Sequence, residues 1–204
     1  WSSDVCSSDL AYTGGNGTGA PQSVNFASNV SVNNSATITA SKLGTTYTPL
    51  FANAANKTAQ LGTLGFGTGG LTLTVTPSSG YGVEFTSTVS LNQASTTLAV
   101  NTNGAILSTV VPSLIISGQV TGNQAWTKSG TGVLSLTNAG NSFTGNITVA
   151  GTAGGLAFSS DAALGNAANT VTLNGTTVLV RALGSGGISS GRSFTFTGAA
   201  ANNL

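Results

Sequence analysis

Two glycine-spaced motifs and one pair of carboxylates are the places where this chain could do chemistry. Gly65-Phe66-Gly67-Thr68-Gly69-Gly70 satisfies G-x-G-x-x-G, a loop that cradles a pyrophosphate when a strand precedes it and a helix follows. Here Leu71-Thr72-Leu73-Thr74-Val75-Thr76 follows, with the alternation of a strand. The sequence therefore predicts a corner between strands and no dinucleotide site. Gly187-Ile188-Ser189-Ser190-Gly191 satisfies G-x-S-x-G, the elbow that exposes a nucleophilic serine. Such a serine needs a base to take its proton. The chain has no histidine, and no Ser-x-x-Lys spacing offers a lysine instead.

Glycoside cleavage needs two carboxyl groups at a set separation. Outside the first ten residues only Glu84 and Asp161 are available, too few acidic groups to build such a face with its supporting charges. Calcium wants several carboxylates in one loop, and Gly14-Gly15-Asn16-Gly17-Thr18-Gly19 contains no Asp. Tyr12, Tyr47, Tyr81 and Trp126 could form an exposed sugar-stacking strip, but they fall at unrelated places along the chain; corner packing is the better reading. The Asn-x-Ser/Thr matches at Asn16, Asn29, Asn33, Asn56, Asn146 and Asn174 are what any chain so rich in Asn, Ser and Thr would show. The expectation is no catalytic, cofactor-binding or metal-binding residue, and no enzyme activity in this chain.

Composition narrows the function further. Residues 1 to 10, W-S-S-D-V-C-S-S-D-L, hold the single Cys, one of two Trp and two of four acidic residues. They resemble a translated sequencing adapter and are set aside as a non-native segment. The remainder has Glu84 and Asp161 against Lys42, Lys57, Lys128, Arg181 and Arg192, a net charge of 2 negative against 5 positive, or +3. Five scattered cations make no nucleic-acid patch. Charged residues are 4% of the chain, so Ser, Thr, Asn and Gly must cover its outer faces. Without Cys6 there is no cysteine for a disulfide, a zinc site or a redox pair.

The elements that would carry these residues are short strands. Apolar residues recur at every second position in brief bursts: Leu134 and Leu136, Ile147 and Val149, Leu156 and Phe158. That period means extended chain with one face buried, and Gly- and Asn-rich corners separate the bursts. Strands this short are stable only when like units stack above and below them, so the pattern predicts a β-solenoid. With leading strands starting at Leu71, Leu98, Leu114, Val133, Leu156, Val178 and Phe194, the mean spacing is about 20 residues per coil. Eight or nine coils are expected, forming a rod roughly 40 Å long at about 4.8 Å per coil. The segment Pro49 to Ala59 is read as a helical turn or a bulging loop. An antiparallel sandwich is the alternative, weakened by the scarcity of hairpin dipeptides other than Asn174-Gly175.

The stretch Trp126 to Gly165 is the clearest repeat. Its order K-x-G-T-G-x-L-x-L, N-x-F-T-G-x-I-x-V-x-x-G, G-L-x-F-S-S-D-A-A-L-G resembles the passenger-associated repeat of bacterial autotransporters. Lys128, Gly130, Thr131, Gly132, Leu134, Leu136, Asn141, Phe143, Thr144, Gly145, Ile147, Val149, Gly151, Gly155, Leu156 and Leu164-Gly165 carry the match. Phe143 and Asn146 depart mildly from the Tyr and second Gly usual there. The resemblance implies a right-handed parallel β-helix over residues 11 to 204, an all-β passenger fragment displayed at the surface of a Gram-negative bacterium. It further implies a stalk or adhesive role, with a host-surface, matrix or polysaccharide ligand and an outer-membrane β-barrel elsewhere in the same polypeptide. An enzyme passenger with its catalytic loops outside this stretch, and a carbohydrate-binding β-solenoid, are the rival expectations. The uncapped Phe194-Thr195-Phe196-Thr197 strand and the low charge predict end-to-end self-association.

Overall fold

The computed structural model describes residues 22–41, 57–78, 80–102, 111–183 and 187–198. Tyr12, Tyr47, the adapter-like segment and most of the Pro49-to-Ala59 stretch lie outside them. The chain winds through repeated three-sided turns. The first turn is β1 (Gln22–Asn25), β2 (Val30–Val32) and β3 (Ala36–Ala40), and the second is β4 (Lys57–Leu61), β5 (Leu64–Phe66) and β6 (Thr72–Pro77). The third is β7 (Gly82–Phe85), β8 (Val89–Ser90) and β9 (Thr96–Val100), and the fourth is β10 (Leu114–Ile116), β11 (Val120–Thr121) and β12 (Trp126–Ser129). Next come β13 (Val133–Leu136), β14 (Ile147–Phe158), a single 3-10 turn (Asp161–Leu164), β15 (Val171–Ala182) and β16 (Phe194–Phe196). The two 12-residue strands, β14 and β15, each run around a corner and serve two faces.

Every strand pair is parallel, and each strand pairs with its counterpart one turn away. That is a parallel β-helix, and the antiparallel sandwich is excluded. The first face stacks β1, β4, β7, β10, β13 and the later halves of β14 and β15. The second stacks β2, β5, β8 and β11. The third stacks β3, β6, β9, β12, the earlier halves of β14 and β15, and β16.

Period-two alternation decides which side chains enter the core. On the first face Val83, Leu114, Leu134, Leu156 and Val180 form one inward column, and Phe85, Ile116, Leu136 and Phe158 form another. All are buried, as are Ile147 and Val149 on the third face. The six core residues read from the sequence thus stand in one apolar interior. At about 25 cal/mol per Å2 each such side chain contributes roughly 1.5–3 kcal/mol when removed from water. A lone turn has nothing to cover its inward face, so stacking supplies that burial.

Spacing was the weaker part of the sequence reading. Along the first face, Val24, Ala59, Val83, Leu114, Leu134, Leu156 and Val180 are stacked neighbours, at steps of 35, 24, 31, 20, 22 and 24 residues. The expected figure of about 20 came from mixing faces: Leu98 and Phe194 belong with the third, whereas Leu114 and Leu156 belong to the first. A chain of three-sided turns shows a strand at every side, and alternation alone does not say which side. The described residues make seven turns, roughly 30 Å along the axis at about 4.8 Å per turn; the expected eight or nine were counted over residues 11 to 204. Both long steps fall where third-face strands hand over to the first face, after β3 and after β9.

Candidate functional surface

The residues singled out for chemistry are not brought together. Glu84 on β7 accepts hydrogen bonds from Gln60 Nε2 (2.8 Å) and Ser117 Oγ (2.5 Å), which tie three turns along the first face. Asp161 opens the 3-10 turn, where its Oδ1 accepts from Ser190 Oγ (2.5 Å) and Arg192 Nε (2.8 Å). Burial alone would raise the Asp161 pKa. The hydrogen bonds from Arg192 and Ser190 and the guanidinium charge outweigh it and hold the carboxyl below its usual range. Arg192 also donates to the backbone carbonyls of Asp161, Gly165 and Asn166, so it fastens the next turn onto the end of the 3-10 segment. Ser189 is exposed in the loop before β16, and its neighbour Ser190 is the one that contacts Asp161.

Gly67 to Gly70 form the expected corner, while Gly65 and Phe66 are the end of β5. Trp126 is not an exposed platform. Its place on β12 points it inward, 2% exposed, with its ring edge-on to Phe143 at 5.9 Å. Tyr81 is half-buried against the core, and burial raises its pKa. Asn141 replaces a missing second-face strand in the fifth turn: its Oδ1 accepts from Val120 N and its Nδ2 donates to Ala163 O, both at 2.7 Å. Asn29 and Asn146 accept backbone N–H groups of the following turns. These asparagines are parts of corners.

Sequence reasoning counted Lys128 among five scattered cations and did not place it; the structure puts it in the core. Lys128 is fully buried, in the inward column Leu73, Leu98, Lys128, Val149, Leu173. Its Nζ donates to the carbonyls of Gly130 (2.8 Å) and Gly132 (2.5 Å). Burial lowers its pKa to about 8. The signal was legible: with Trp126 inward on Trp126–Ser129, a period of two puts Lys128 inward too.

What the fold does assemble is a surface. Thr72, Thr97, Thr127, Thr148, Thr172 and Thr195 are direct register partners on consecutive turns of the third face. They point outward, half-buried to exposed, and so form one row with a hydroxyl and a methyl about every 4.8 Å. The positions two residues further along, Thr74, Ala99, Ser129, Ala150 and Asn174, make a second row. A shallow groove beside the first row is lined by Ser95, Thr97, Gln124, Thr127 and Thr148. No charged side chain points outward from this face among the described residues. The first face is different: its corresponding row is Gln60, Glu84, Ile115, Ser135, Ala157 and Arg181, of which Ser135 and Ala157 are buried.

A parallel β-helix whose third face is lined by a row of threonines is the class of molecule that fold and surface define. Over 103 residues the chain is 43% identical to the adhesin BmaC autotransporter of Brucella suis biovar 1 (strain 1330), a match covering 50% of this chain. The matched stretch is 3% of that adhesin. No family model matches the chain, and no solved structure matches it.

Proposed function

We propose that this chain is part of an autotransporter passenger displayed at the surface of a Gram-negative bacterium, and that it acts by contact and not by catalysis. The likeness to an autotransporter adhesin over half of the chain carries this reading. The third face gives it a physical form. A flat array of hydroxyl and methyl groups offers many weak contacts and no deep pocket, so affinity would be spread along the rod. A host-surface, matrix or polysaccharide ligand suits such a face, with low charge on both sides. The carboxylates that could serve hydrolysis are each engaged in holding neighbouring turns together.

Beads coated with the chain should bind cultured epithelial cells. Thr97→Arg, Thr148→Arg and Thr195→Arg combined should remove most of that binding while leaving the melting temperature nearly unchanged, because outward positions tolerate exchange. Ser31→Arg with Ser90→Arg on the second face should bind like the parent. If the third-face variant adheres fully, the contact surface lies elsewhere. Parent beads that do not bind at all would contradict an adhesive role for this stretch.

A further inference from the structure

We infer that Lys128 is a titrating latch: it closes the corner between the third and first faces as a neutral amine, and protonation loosens the turns around it. The sequence supplies the first observation. Lys128 is the only charged residue between Glu84 and Asp161. A stretch that otherwise excludes charge keeps one ionisable side chain and sends it to the core.

The second observation is the count of partners. An ammonium has three N–H donors and a neutral amine two. Among the described residues Nζ has two acceptors, the Gly130 and Gly132 carbonyls. Gly154 also lies against the amine, where a Cβ would collide with Nζ and with the Gly130 carbonyl. The neutral form is thus satisfied and the charged form is one partner short. The strands that flank it in register, β9 and β14, contain no titratable residue, and neither do β10 and β13 on the first face. Arg181 on β15 sits at an outward position opposite Ala157, and Asp161 is occupied by Arg192 and Ser190. A buried amine without a counter-charge favours losing its proton, in line with a pKa lowered to about 8.

The sign follows from linkage. From about pH 8 up to the ordinary lysine range, the unfolded chain keeps a proton that the folded chain has released. Stability therefore rises with pH across that window, by up to about tenfold in the folded-to-unfolded ratio per pH unit. Below pH 8 both states are protonated and the penalty is fully present. Tyr81 works the other way only above its ordinary value of 10.0. Cys6 and the N-terminal amine also titrate between about pH 7 and 9.5, so Lys128 is isolated by comparing the parent with Lys128→Met, both carrying Cys6→Ser.

Urea unfolding of the full chain, followed by Trp126 fluorescence in a Trp1→Phe background, tests this. The folded-to-unfolded ratio should rise about tenfold or more between pH 7 and 9.5, and Lys128→Met should abolish the rise. A flat parent profile, or the same rise in Lys128→Met, overturns the proposal. If Lys128→Met does not fold, carbon-13 NMR of the Lys128 Cε in the parent decides. A midpoint near 8 is expected, and one in the ordinary lysine range overturns it.

Discussion

Asp161 and Arg192 form the single ion pair among the described residues, and its use is mechanical. The guanidinium is buried and spends its donors on one carboxylate and three carbonyls of the turn below. Because the Asp161 pKa is held down, its contribution is present at neutral pH and is lost as pH falls through its folded value, below the ordinary carboxylate range. Urea midpoints should therefore fall between pH 5 and pH 2 in the parent, and Asp161→Asn should flatten that slope. An equal slope in the variant would place acid sensitivity elsewhere. At this scale the sequence was partly legible. Inward apolar residues follow from alternation, whereas the partners of Arg192 lie 26 to 31 residues away in sequence. Only stacking brings them together.

At the scale of elements, corners do as much as strands to set the register. Gly130 has a φ of +81°, and a Cβ there would strike the Val100 carbonyl of the turn below. Gly145 is equally constrained, since a Cβ would run into the Gln124 carbonyl. These are residues of the sequence repeat, and close approach of stacked backbones is the physical reason glycine stands there. The strands were legible because each burst of alternation is local. The assignment of strands to faces was not, because a turn of 20 residues and one of 35 expose the same local pattern. The core columns make a direct prediction. Leu136→Asp buries an unpaired carboxylate between Ile116 and Phe158 and should cost several kcal/mol. Loss of parallel-β circular dichroism at a clearly lower temperature is the expected result. An unchanged melting temperature would mean that Leu136 faces solvent and that the face assignments are reversed.

The molecule as a whole keeps charge scarce and hydroxyls abundant, and the fold turns that composition into geometry. Threonine suits a strand because it is β-branched, but strand preference alone does not place six of them in one column. Stacking with a constant register does, and the proposed contact surface depends on it. The most direct test is a set of distances. Paired spin labels at Thr72 and Thr127, Thr72 and Thr148, and Thr72 and Thr195, with Cys6 replaced by Ser, would be read by double electron–electron resonance. These pairs span two, three and five turns in register. The mean separation should grow by about 4.8 Å for each added turn, with one narrow distribution per pair. Separations that do not grow with the turn count, or that shrink for the Thr72–Thr195 pair, would contradict the row and with it the β-helical stacking.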